Sequence, residues 1–150
     1  MEIYTIGHSN RTFKEFLEVL EAYKIKILVD IRRFPISKKF PHFNKENLEK
    51  ALPAIGISYI YLGKELGGFR KGGYQAYMET KEFKEGLEKL LTFALKARTA
   101  IMCTEKYFGK CHRRYISNEL AKLGYKLIHI FDKTKAYEHK ALLGDKLGKL

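Results

Sequence analysis

Apolar residues along this chain fall into two rhythms, short unbroken runs and longer stretches with apolar positions three or four apart. Ile3 to Gly7 is a short apolar run ending at a glycine, and it predicts a strand. Thr12-Phe13-Lys14-Glu15 then places a Glu three residues after a Thr, a capping-box spacing. Phe13, Phe16, Leu17 and Leu20 recur at helical intervals behind it. Ile25 to Ile31 is nearly continuous apolar sequence, as expected of a central parallel strand covered on both faces.

The pattern repeats three more times. Phe34 to Asn44, with Pro35 and Pro41, predicts a loop, and Lys45 to Ile55 a helix stopped by Gly56. Ile57 to Leu62 predicts a third strand, and the glycine-rich Gly63 to Gly73 a flexible loop. A short helical turn is expected over Tyr74 to Glu79. Glu82 to Arg98 then predicts a long amphipathic helix with Phe83, Leu87, Leu90, Leu91, Ala94 and Leu95 inward. Thr99 to Cys103, Cys111 to Leu123 and Tyr125 to Phe131 predict strand, helix and strand, and a basic, partly helical tail is expected from about residue 133. Such alternation implies one α/β domain over residues 1–150. It would be a three-layer, Rossmann-like fold whose mostly parallel five-stranded sheet carries helices on both faces.

Composition narrows the class. The chain has 150 residues, 45% hydrophobic and 31% charged, which suits an ordinary globular domain. No apolar run approaches the roughly 20 residues of a membrane span. The N-terminus carries no signal-peptide pattern, so a cytoplasmic protein without a membrane partner is expected. The net charge is +12, which favours nucleic acid or another phosphate-bearing anion as partner. Lysines beside glutamates, as in Lys45-Glu46 and Lys81-Glu82, also serve simply to solvate helix faces.

Parallel strands gather their C-terminal ends on one rim, where open α/β sheets bind ligands. That rim would hold His8, Ser9 and Asn10, then Asp30, Arg32 and Arg33, the glycine loop with Glu65, Cys103, Thr104 and Glu105, and finally Asp132. Cys111-His112-Arg113 follows at a helix start. Cations are disfavoured at a helix N-terminus, so His112 and Arg113 there point to a bound anion. Arg32 offers a fork to a phosphate or pairs with Asp30 inside the fold. His8, Asp30 and Glu105 are candidate acid/base groups, and Ser9 and Cys111 candidate binding groups. Cys103 reads either as a nucleophile or as a small buried residue.

Several chemistries are excluded or weakened. A tyrosine-phosphatase loop, Cys-x5-Arg, is absent, because Gly109 stands where the Arg belongs. Gly63-Lys64-Glu65-Leu66-Gly67-Gly68 is not a nucleotide-triphosphate loop. The spacing of Cys103, Cys111 and His112 differs from zinc knuckles, so neither metal nor other cofactor is expected. Two cysteines give no disulfide framework, although a Cys103–Cys111 bridge remains geometrically open. Tyr59, Tyr61, Phe69, Tyr74 and Tyr77 can stack on bases or fill the core.

Several motifs taken together resemble one known family, "domain of unknown function 488". They are Thr5-Ile6-Gly7-His8-Ser9-Asn10, Val29-Asp30-Ile31-Arg32 with Pro35, Phe43-Asn44, and Tyr61-Leu62 with Leu66-Gly67-Gly68. Met102-Cys103-Thr104-Glu105 and Cys111-His112-Arg113 complete the set. The resemblance runs collinearly from about Ile3 to Ile130. Thr104 departs from the Cys-Ala-Glu often seen in the family, and His129 resembles its signature His near the last strand. The resemblance implies a compact α/β domain and singles out His8, Asp30, Arg32, Cys103, Glu105, Cys111, His112 and Arg113. It implies no mechanism. The sequence leads to the expectation of an enzyme, a hydrolase acting on a nucleic acid or nucleotide. A non-catalytic nucleic-acid binder and a thiol or redox protein are the rival expectations.

Overall fold

The computed structural model describes residues 1–107, 109 and 111–139. Its centre is a six-stranded sheet in the order β3-β2-β4-β1-β5-β6. The strands are β1 (Glu2–Gly7), β2 (Ile27–Asp30), β3 (Ser58–Tyr61), β4 (Thr99–Cys103), β5 (Lys126–Asp132) and β6 (Lys135–Glu138). The first five are mutually parallel, as the alternating pattern predicts. The sixth strand corrects the expected helical tail. It returns antiparallel to β5 and pairs His129 with Tyr137. The tail beyond residue 139 lies outside the described residues.

The helices are α1 (Phe13–Ala22), α2 (Lys45–Ala54), α3 (Gly63–Leu66), α4 (Tyr74–Tyr77), α5 (Lys81–Ala94) and α6 (Arg113–Lys122). Thr12 caps α1 with the full capping box, its hydroxyl accepting from Glu15 N–H while the Glu15 carboxylate accepts from Thr12 N–H. Such a cap contributes about 1 kcal/mol. Gly63 to Gly73 is not simply a loop, because α3 occupies its first turn. A Cβ at Gly86 of α5 would overlap the Cβ of Glu65, so the glycine lets α5 lie against α3. Phe83 and Leu90 of α5 are buried as expected, whereas Leu95, just past its end, is exposed.

Strand alternation sorts the core into two layers. Ile27, Val29, Ile101 and Cys103 face α3, α5 and α6, among Leu66, Phe83, Leu90, Ile116 and Leu120. Leu28, Ala100, Met102, Tyr4 and Ile6 face α1 and α2, among Phe16, Leu20, Leu48 and Leu52. Each fully buried Leu or Ile contributes about 1.5–3 kcal/mol relative to exposure. Because α1 and α6 pack on opposite faces, the chain leaves neighbouring β1 and β4 in opposite directions. The sheet therefore has its topological switch point between the ends of β1 and β4, where such folds open a crevice. Among the described residues no helix is long and apolar enough to cross a membrane.

Candidate functional site at the switch point

The ends of β1 and β4 are stitched together beyond the sheet. His8 N–H donates to Cys103 O, and Ser9 N–H to Thr104 O, each at 2.9 Å. This close approach requires Gly7, since a Cβ there would overlap the carbonyl oxygen of Glu105. Past this junction opens a cavity of about 630 Å³. Its wall brings together Cys103, Glu105, Cys111 and His112 with Arg33, Arg70 and Arg114. Phe34 and Phe69 lie at its mouth, 66% and 82% exposed, with ring centroids 5.8 Å apart.

The predicted residues divide into two groups. His8, Asp30 and Arg32 form a buried relay beside the cavity. Asp30 is 0% exposed, and Arg32 grips it with Nε to Oδ1 at 2.9 Å and Nη2 to Oδ2 at 2.7 Å. Tyr59 Oη also donates to Asp30 Oδ2, and Arg32 Nη2 donates to Phe43 O. Arg32 lines the cavity, yet most of its donors are already engaged. Its expected phosphate fork is thus replaced by the buried-pair reading. His8 stacks on Phe43 and its Nδ1–H donates to Ser9 O at 2.8 Å. Its Nε2 lone pair therefore faces Arg32 Nη1, 3.3 Å away. Burial holds His8 neutral, pushing its pKa down to about 4. His8, Asp30 and Ser9 do not line the cavity.

Arg113 departs furthest from expectation. It opens α6 but is 0% exposed, and Nη1 donates to the Thr5 hydroxyl at 3.2 Å. Nη2 donates to the carbonyls of Glu105 and Lys106. A directional chain stands behind it. His139 Nε2–H donates to Asn118 Oδ1 at 2.6 Å, so His139 Nδ1 accepts from His129 Nε2–H at 2.7 Å. His129 Nδ1 then accepts from the Thr5 hydroxyl, whose oxygen is left to receive Arg113. Among the described residues no carboxylate pairs with Arg113, and its Nε has no hydrogen-bond partner. The buried cation instead faces the thiols.

Cys103 and Cys111 are free thiols whose Sγ atoms lie 3.0 Å apart. Cys111 sits just before His112, the N-cap of α6, and its sulfur accepts the Arg113 backbone N–H at 3.4 Å. Hydrogen bonding from Cys103 and the Arg113 charge lower the Cys111 pKa to about 7. Burial pushes Cys103 well up instead. His112 donates Nε2–H to Ile31 O at 3.0 Å, leaving the Nδ1 lone pair beside Gly68 at the cavity wall. Burial lowers its pKa to about 4, so it is a neutral imidazole. Among the described residues no three His, Cys, Asp or Glu side chains are grouped to hold a metal ion.

Arg70, Phe34 and Tyr115 are cavity residues that the sequence reading did not select. Arg70 is anchored by its Nε to Gly67 O and its guanidinium stacks 3.9 Å from the Tyr77 ring centroid. Arg114 lies over Tyr115 at 4.7 Å. Arg33 belongs to the rim expected after β2 and Arg114 to the Arg-Arg pair expected at the start of α6, and each follows an arginine that turns inward.

A family model described as "Domain of unknown function DUF488" matches residues 12–73 and 69–120. No curated protein and no solved structure matches the chain.

Proposed function

We propose that this chain, which belongs to the DUF488 family, is an enzyme acting on a phosphate-bearing substrate of the nucleotide or nucleic-acid class. One observation carries the reading. The cavity at the switch point presents Arg33, Arg70 and Arg114 around a single carboxylate, Glu105, with two exposed phenyl rings at its mouth. Guanidinium forks suit phosphate oxygens, and flat apolar rings suit the face of a base. The anion-binding task thus passes from Arg32 and Arg113 to the outward arginines beside them. His112 supplies a lone pair at Nδ1 and Glu105 a carboxyl group on the same wall. Together they can move a proton during hydrolysis of the bound substrate. His8 and Asp30 act at one remove, holding Arg32 and the loop after β2.

The test is binding of a nucleoside triphosphate and of short DNA and RNA across a salt series, for wild type, Arg33→Ala and Arg114→Ala. Affinity should fall steeply with salt, and each substitution should reduce the log–log slope by about one phosphate equivalent. Glu105→Gln should then bind normally and lose turnover. No binding at low salt sinks the phosphate reading. Binding indifferent to both arginines places the polyanion elsewhere on the +12 surface. Normal turnover by Glu105→Gln removes its catalytic role, whereas wild type that binds these ligands and turns none of them over favours a binder without chemistry.

A further inference from the structure

The phosphate reading makes no use of the two thiols, although they are arranged with more care than binding requires. Both sulfurs reach the cavity wall, yet they differ in depth, Cys103 being 2% exposed and Cys111 more open. They lie 3.0 Å apart, about 1 Å beyond a disulfide bond length. Cys111 sits at the start of a ten-residue helix, where the dipole end and a free N–H favour a thiolate. Arg113 adds a second, independent sign. It is a wholly buried cation, held by carbonyls and a hydroxyl, with no carboxylate partner among the described residues. A buried charge without a counter-ion is strongly disfavoured. The groups in its reach able to become an anion are the two thiols, and hydrogen bonding favours Cys111 for that role.

We infer that Cys111 and Cys103 form a thiol–disulfide exchange centre that reduces small anionic disulfides, with Cys111 attacking and Cys103 resolving. The Cys111 thiolate attacks one sulfur of a disulfide R–S–S–R. The S–S bond breaks, one R–S⁻ leaves, and Cys111 becomes the mixed disulfide. Cys103 gives its proton to the leaving thiolate and attacks Cys111 Sγ across the 3.0 Å gap. The Cys103–Cys111 bond forms and the second R–S⁻ departs, taking a proton from solvent. Two electrons and two hydrogens pass from the protein to the disulfide. Arg33, Arg70 and Arg114 around the mouth favour a disulfide bearing carboxylates over a cationic one. The inference stands on the thiols and does not depend on the phosphate reading.

Incubation of the full chain with oxidised glutathione, followed by intact mass and alkylation of remaining thiols, tests this. Wild type should lose two hydrogens, carry no adduct and resist alkylation. Cys103→Ser should trap one glutathione on Cys111, and Cys103→Ala should repeat this if the serine variant melts early. Cys111→Ser should react at least about tenfold more slowly. The wild-type rate should rise with pH through the Cys111 ionisation near 7. At low salt, oxidised glutathione should outpace the cationic disulfide cystamine. Folded Cys103 variants without adduct, two adducts on wild type, or an undiminished rate in Cys111→Ser would each overturn the exchange centre. A faster reaction with cystamine would overturn the assignment to anionic disulfides. Nucleotide binding that persists in Cys103→Ser separates this result from the fate of the phosphate reading.

Discussion

Asp30→Asn decides whether that carboxylate does chemistry or holds the rim in shape. In the native fold Oδ1 accepts from Arg32 N at 3.0 Å and Nε at 2.9 Å, and Oδ2 from Arg32 Nη2 at 2.7 Å and from Tyr59 Oη. The amide of Asn turns an NH2 group toward at least one pair of these donors. It also removes the counter-charge of Arg32, which is 5% exposed and cannot turn to water. Breaking a buried pair from one side costs about 3–5 kcal/mol. Domains of this size have about 5–15 kcal/mol in total, so a fifth or more of the stability is at stake. The melting temperature should fall by on the order of 10 °C. Urea titration followed by circular dichroism measures this directly, and an unchanged m-value shows that the shift is in stability. Tyr59→Phe is the graded control, losing one hydrogen bond to a charged group and about 1.5 kcal/mol. An Asp30→Asn variant within about 0.5 kcal/mol of wild type would show that the pair does not stabilise the fold. If that variant had also lost turnover, Asp30 would return as a chemical group.

Two further perturbations probe the same rim. Gly7→Ala should cost about 3 kcal/mol, because the new methyl meets the Glu105 backbone, which no rotamer change can move aside. It should also disturb the thiols, since the Glu105 carbonyl receives both Cys103 Sγ and Arg113; a stable Gly7→Ala chain with native thiol reactivity would refute the stitching of β1 to β4. His8, neutral in the fold with a pKa of about 4 against an ordinary 6.5, makes stability fall on acidification. The unfolded chain binds a proton in that window that the fold refuses, so stability is complete above about pH 6.5 and declines toward pH 4. The gap corresponds to about 3 kcal/mol. Urea midpoints at pH 7 and pH 4 should show this loss shrink by that amount in His8→Asn, and an equal acid loss in both chains would refute the assignment.

The elements that sequence alone revealed are those whose pattern came from burial. β2 and β4 are apolar on both faces because helices cover both, and their runs stand out. β6 escaped notice because Lys135, Tyr137 and Glu138 are at an edge, where charge is tolerated and no apolar face is demanded. The glycine-rich stretch after β3 misled for a different reason. A Cβ at Gly63 would overlap the Arg32 carbonyl, and one at Gly67 the Gly63 carbonyl. These glycines mark tight packing of α3 under the rim, and composition cannot distinguish that from flexibility.

The two Arg-Arg pairs show where legibility of the site ends. In each pair the first residue is buried and the second lines the cavity: Arg32 and Arg33, Arg113 and Arg114. For the first pair the choice is written locally. Asp30 lies two positions before Arg32, and its carboxylate takes both the Arg32 backbone N–H and the Arg32 guanidinium, turning that side chain inward. For the second pair nothing nearby in sequence decides. Arg113 turns inward because the carbonyls of Glu105 and Lys106 after β4 await it together with the Thr5 hydroxyl, and Thr5 comes from β1, far away in the chain. A helix start crowded with cations implies that a negative charge would be favourable there. It does not say that the inner arginine faces a thiol while the outer one faces solvent. That division comes from the switch point, which sets the end of β4 and the start of α6 against the end of β1.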